Sequence, residues 1–158
     1  MIEKLSQEIK QAMRDKAKDR LQMLRSMMND LKNAGIQKKG DQGLTEEVAS
    51  PAEYLEEAEM IKVLQAAAKR RRESAELYRN GDRIELAEKE EAEILILEEF
   101  LPAALSADDL KGLVAEAIAE VGAGSMAEMG KVMKALQPKV AGRADGRTLS
   151  AAVKEALS

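Results

Sequence analysis

From Pro51 to Asn80 the chain runs for thirty residues without a glycine and, after its first position, without a proline. A stretch of that length with apolar and charged residues mixed at helical spacing has few alternatives to one long helix. Ser50-Pro51-Ala52-Glu53 reads as its start, with Ser50 as the N-cap, Pro51 in the first helical position and Glu53 closing a capping box. At 1.5 Å per residue the predicted helix is about 45 Å long. Asn80-Gly81-Asp82 supplies a turn, Gly81 as the C-terminal cap and Asp82 as the next N-cap. The returning helix reaches Phe100 and stops before Pro102, so residues 51–100 are expected to form an antiparallel hairpin.

The flanking sequence is read the same way. Residues 2–17 place Ile2, Leu5, Ile9, Ala12 and Met13 on one face, and Lys16 to Lys18 form a polar break. Asp19 is expected to cap a second helix carrying Leu21, Leu24, Met27, Met28 and Leu31, which fades at Gly35 into a flexible loop over 37–43. After Pro102 the elements shorten. Ser106-Ala107-Asp108-Asp109 opens a helix with Leu110, Leu113, Val114, Ala117, Ile118 and Val121 on its stripe, and Gly122 and Gly124 end it. Ser125 with Glu128 opens the next, built on Met126, Met129, Val132, Met133 and Leu136, and Pro138 is expected to force its exit. The last runs from Arg147 to Leu157 through Leu149, Ala152, Val153, Ala156 and Leu157. The expected fold class is therefore all-α. A long-helix hairpin domain over 1–101 precedes a small three-helix bundle over 102–158.

Composition narrows the chemistry. There is no cysteine and no histidine, which excludes thiol nucleophiles, disulfides, Cys/His zinc sites and imidazole-based triads. No catalytic constellation, cofactor site or metal site is expected. One Phe, two Tyr and no Trp leave the core to Leu, Ile, Val, Met and Ala, and the methionines at helical spacing read as packing residues. No apolar run approaches the roughly 20 residues that span a bilayer. The N-terminus MIEKLSQEIKQAM is an amphipathic helix carrying acids rather than a signal peptide, so a cytoplasmic location is expected.

The net charge of -4 conceals an asymmetry. Between Gly130 and Arg147 five basic residues, Lys131, Lys134, Lys139, Arg143 and Arg147, face one acid, Asp145. Gly130 sits inside a helical pattern, where glycine is disfavoured by roughly 1 kcal/mol against alanine, so close approach by a neighbouring helix or a ligand is the expected compensation. Gly142 and Gly146 bracket a compact turn, and Asp145 is placed to cap the helix after it. A cation cluster of this kind suits phosphate held by side chains. Elsewhere, Lys69-Arg70-Arg71-Arg72 fans around a helix at about 100° per residue and reads as a solvated surface paired with Glu73, Glu76 and acids of the returning helix. Glu88, Glu90, Glu91 and Glu93 read as the counter-charges of that run rather than as a metal site.

Gly130-Lys131-Val132-Met133, Pro138-Lys139 and Gly142-Arg143-Ala144-Asp145-Gly146, with Glu90-Glu91-Ala92-Glu93-Ile94 and Phe100-Leu101-Pro102 upstream, resemble the YqeY family. The C-terminal region of that family is similar to the tail domain of the B subunit of tRNA-dependent amidotransferases, a helical module that grips the elbow of tRNA. The resemblance implies a non-catalytic tRNA-affinity module, with Gly130, Lys131, Lys134, Lys139, Gly142, Arg143 and Arg147 in contact with nucleic acid and Asp145 as a structural cap. It implies tRNA as partner, and an aminoacyl-tRNA synthetase or amidotransferase as a further one. By association alone it also implies carbon–nitrogen ligase chemistry with glutamine as amide donor. A helical protein-interaction adaptor is the alternative reading. The chain departs from the family pattern at Gln137, where an apolar residue is expected before Pro138.

Overall fold

The structure, a computed structural model, describes residues 1–158. Seven α-helices account for it, and no strand is present: α1 Ile2–Arg14, α2 Lys18–Gln42, α3 Glu57–Asn80, α4 Ile84–Glu98, α5 Ala107–Val121, α6 Met129–Val140 and α7 Gly146–Leu157. The all-helical class expected from apolar periodicity is the class observed. The chain divides into two compact units, Met1–Leu101 and Pro102–Ser158.

In the first unit, Leu5 and Ala12 of α1 meet Met23, Leu24, Met27 and Leu31 of α2, all buried at helical spacing. Lys16 takes a left-handed φ of 55°, and Ala17 N–H donates to the Ala12 carbonyl, so the break after α1 is a tight turn. Asp19 does not cap α2; that position is Ala17, and Asp19 lies inside the first turn. Nor does α2 end at Gly35. It continues through Gly35 and Gly40 to Gln42, and ends where Gly43 adopts φ 62°. The expected loop over 37–43 is therefore helix. Lys38 reaches Glu59 at 2.6 Å and the Lys39 ammonium lies over the Tyr54 ring, so later residues supply the contacts that continue it.

The helix expected from Pro51 is also corrected. Pro51–Tyr54 forms a single 3₁₀ turn, Leu55 is extended and buried, and α3 begins at Glu57. Ser50 makes no capping bond, and its buried Oγ has no partner. The cap that forms is a box between Glu56 and Glu59, in which Glu59 Oε2 accepts from Glu56 N–H at 2.7 Å. A tertiary contact accompanies the break: the Pro51 carbonyl and the Ala52 N–H pack directly on the Gly35 backbone of α2, with Ala52 and Leu55 buried in the core beside it. The hairpin thus spans α3 and α4 rather than 51–100, and α3, at 24 residues, is about 36 Å long.

Small residues let the hairpin close. Ala67, Ala68 and Ala75 of α3 and Ala87 of α4 are buried. At the tip Gly81 is the C-cap of α3, as expected, and the N-cap of α4 moves by one residue. Asp82, not Gly81, takes the left-handed φ of 56°, and Arg83 occupies the N-cap. Arg83 N–H donates to the Tyr78 carbonyl at 2.8 Å and closes the turn.

The second unit buries Leu110, Val114 and Ala117 of α5, Val132, Leu136 and Val140 of α6, and Leu149 and Val153 of α7 in one cluster. Ser106 Oγ accepts from Asp109 N–H at 3.1 Å, and Gly122 ends α5 with φ 65°. A 3₁₀ turn, Met126–Glu128, leads into α6. Pro138 does not end α6, which carries on to Val140 before Ala141 and Gly142 turn left-handed at φ 48° and 78°. Pro138 is exposed, and burial of Val140 in the same stripe as Leu136 retains the last turn despite the missing N–H.

Candidate nucleic-acid interface

The stripe Val132, Leu136 and Val140 fixes which way α6 faces. Lys131 and Lys134 fall on the opposite side, about 60° apart around the axis and about 4.5 Å apart along it. Both are exposed and stand in no salt bridge, whereas Lys139 makes two. Gly130 shares that outward side. A Cβ built on it meets nothing within 4 Å, so no neighbouring helix approaches it and the packing expectation for this glycine is corrected.

Lys139 is placed differently. It lies on the flank of α6 toward α5, half-buried, with its Nζ 3.2 Å from Glu120 Oε2 and 3.7 Å from Glu116 Oε2. Two carboxylates one helical turn apart hold the ammonium between them. Its charge is neutralised within the unit, which separates it from the cations expected to act with it.

Beyond Val140 the chain bends. Arg143 N–H donates to the Val140 carbonyl at 3.0 Å, and the Arg143 carbonyl accepts from Leu105 N–H at 3.0 Å, so both sides of the Arg143 backbone are anchored. Its guanidinium Nε lies 3.5 Å from the Val140 carbonyl, close to the end of α6. Gly142 supplies the left-handed geometry that the bend requires. Asp145 Oδ1 accepts from Thr148 N–H at 2.7 Å and caps α7, the role read for it from sequence. Arg147, exposed in the first turn of α7, lies off the stripe of Leu149 and Val153. Along α6, Lys131 is about 14 Å from the bend that carries Arg143. The cations therefore form two groups, a lysine pair on the helix face and an arginine pair at the bend.

Each cation of the 69–72 run has an acidic partner within the unit, whereas Glu88 and Glu90 of the acid cluster form no ion pair with that run. Lys69 meets Glu73 at 4.0 Å, Arg70 meets Asp30 at 3.6 Å, Arg71 meets Glu93 at 2.9 Å and Arg72 meets Glu98 at 3.2 Å. Arg79 forms a bidentate pair with Glu91, both bonds 2.8 Å. No group of three or more acidic side chains is placed to hold a metal ion. No helix is long and apolar enough to cross a membrane.

In the first unit, Arg20 reaches Glu8 at 2.8 Å and Glu99 at 2.7 Å, a node the sequence reading did not anticipate. The hydrogen bond from Arg20 holds the Glu99 carboxyl below the usual carboxylate range, and the same two acids raise the arginine further above its ordinary value. Glu59 is lowered too, by its bond from Lys38 and then by the Glu56 backbone N–H. These groups stabilise the fold and take no part in the exposed cation face. Sequence reasoning also missed the exposure of Leu77, Ile84 and Leu86 around the hairpin tip. The signal was present for Leu77, which stands about 200° around α3 from Ala75 and so falls off the buried stripe.

No curated protein matches this chain. A family model described as Yqey-like protein matches residues 2–157, both units and every position of the cation face included. On that match, which spans nearly its whole length, the chain belongs to the YqeY-like family.

Proposed function

We propose that this protein is a non-catalytic RNA-affinity module that holds the backbone of folded RNA of the tRNA type through the outward face of α6 and the bend after it. The observation that carries the reading is the pair Lys131 and Lys134, exposed on one face without intramolecular counter-charge and flanked by Gly130, whose missing side chain no contact within the fold uses. A glycine exposed on a helix is disfavoured, and an external partner lying close against the backbone gives it a use. Arg143 and Arg147 extend the contact around the bend. The second unit contains no aromatic residue, so base stacking is not available and recognition is by shape and phosphate. Family membership supports tRNA as the RNA, an aminoacyl-tRNA synthetase or tRNA-dependent amidotransferase as the enzyme served, and the cytoplasm as the place.

Lys139, held by its two glutamates, is left out of the proposed contact set, which leaves four cations. The slope of log affinity against log salt is then about -3. The test is an anisotropy titration of tRNA with the wild type, with Lys131→Glu/Lys134→Glu and with Lys139→Gln. The double variant should lose at least about tenfold in affinity with unchanged helicity, and Lys139→Gln less than about twofold. Equal affinity of the double variant and the wild type would end the RNA reading.

A further inference from the structure

We propose that the tip of the α3–α4 hairpin is a docking surface for a cationic protein, one whose binding site pairs an apolar depression with lysine or arginine at its edge. The inference stands apart from the RNA reading, which concerns the other unit.

The core of the first unit ends at Ala68 on α3 and at Leu97 on α4. Past Ala68, α3 continues to Asn80 for about 18 Å, and the buried residues over that length are Ala75 on α3 and Ala87 and Ile94 on α4. Such a thin seam buries little apolar area. Arg71–Glu93 at 2.9 Å and the two-bond Arg79–Glu91 pair add fixed geometry to it. The result is a two-helix projection held in register by its own contacts.

Toward its end stand Leu77 on α3, 72% exposed, and Ile84 and Leu86 in the first turn of α4, 44% and 40% exposed. Asp82, Arg83, Ile84, Glu85 and Leu86 line an open depression of about 430 Å³ there. Large apolar side chains concentrated on a projecting element mark an interaction surface more often than isolated ones do.

Charge decides the occupant. Between residues 73 and 93 there are eight acids against three bases. Glu73, Glu91 and Glu93 are engaged by Lys69, Arg79 and Arg71, which leaves Glu76, Asp82, Glu85, Glu88 and Glu90 outside any ion pair, against Arg83 and Lys89. A nucleic acid is repelled by this tip, and two copies meeting tip to tip would set like charges together. A partner with an apolar pocket and a basic rim satisfies both the leucines and the carboxylates.

The test places benzoylphenylalanine at Leu77 of the full chain, irradiates it in lysate of the source cells and maps the cross-linked peptide. A parallel sample carries Ile84→Ser/Leu86→Ser, with circular dichroism to show that helicity is retained. The expected result is a protein adduct whose mapped peptide combines lysine or arginine with apolar residues. The adduct should fall at least about tenfold in the double variant and in about 0.5 M salt, where the screening length is about 4 Å. Purified partner with its mapped cations reversed should no longer cross-link. An adduct with nucleic acid, with a second copy of this chain or with an acidic or neutral peptide overturns the proposal. So does the absence of any adduct.

Discussion

A Cβ placed on Gly35 would lie 1.8 Å from the Pro51 carbonyl oxygen and 2.5 Å from its carbonyl carbon. Two backbones thus pack in direct contact at the middle of the first unit, one in α2 and one in the turn before α3. Gly35→Ala must displace the Pro51 segment, and with it Ala52 and Leu55, so a loss of about 2 kcal/mol or more is expected in urea unfolding. Gly130→Ala, whose Cβ meets only open space, should be neutral or stabilise the second unit by up to about 1 kcal/mol. Equal destabilisation by both would contradict this assignment.

The basic run offers a test of internal pairing. Arg71 and Glu93 have side chains 15% and 22% exposed, whereas those of Arg70 and Lys69 are 62% and 76% exposed. Arg71→Met should therefore destabilise by about 1–2 kcal/mol, and Lys69→Met or Arg70→Met by less than about 0.5 kcal/mol. A double-mutant cycle on Arg71 and Glu93 isolates the coupling. Since all four cations are paired within the unit, none of these variants should change tRNA affinity beyond about twofold in the anisotropy titration.

Acid should loosen the first unit through Glu99 and Glu59. Both carboxyls are lowered in the folded state, Glu99 by Arg20 and Glu59 by Lys38, from an ordinary value of 4.5. The unfolded chain then binds more protons at low pH, so stability rises with pH. Their contribution is complete above about pH 4.5 and is lost as the pH falls through the lowered values. Glu99→Gln should flatten the dependence of urea midpoint on pH between about 5 and 3, and an unchanged profile would remove Glu99 from this role. The raised Arg20 titrates far above this window and adds no slope to it.

Asp145 joins folding to the proposed contact. Asp145→Ala removes the bond to Thr148 N–H and should cost about 1 kcal/mol in the stability of the second unit. Asp145→Asn retains an oxygen for the cap but removes a negative charge from beside Arg143 and Arg147. Stability should hold within about 0.5 kcal/mol while tRNA affinity rises about twofold at low salt. A fall in affinity would show that the carboxylate itself assists binding.

What was legible in the sequence shares one property: it depends on residues within a turn or so of each other. Apolar recurrence at three and four residues is enough to give seven helices and an all-α class. The Ser106 and Asp145 caps and the Gly122 terminus form as expected because each bonds a backbone group no more than four residues away. Other features needed the assembled structure. Gly35 and Gly40 looked like breakers, yet α2 runs through both, because the Pro51 segment packs against the first and Lys38 and Lys39 find partners in Glu59 and Tyr54. The unbroken pattern after Pro51 is interrupted where the Pro51 backbone packs against Gly35 of α2. Of five cations in one stretch, Lys139 alone turns to Glu116 and Glu120 on another helix, and no local pattern distinguishes it from Lys134. Propensity and capping are short-range terms written along the chain. Close backbone contact, burial and charge pairing join residues far apart in sequence, so only the packed fold decides them.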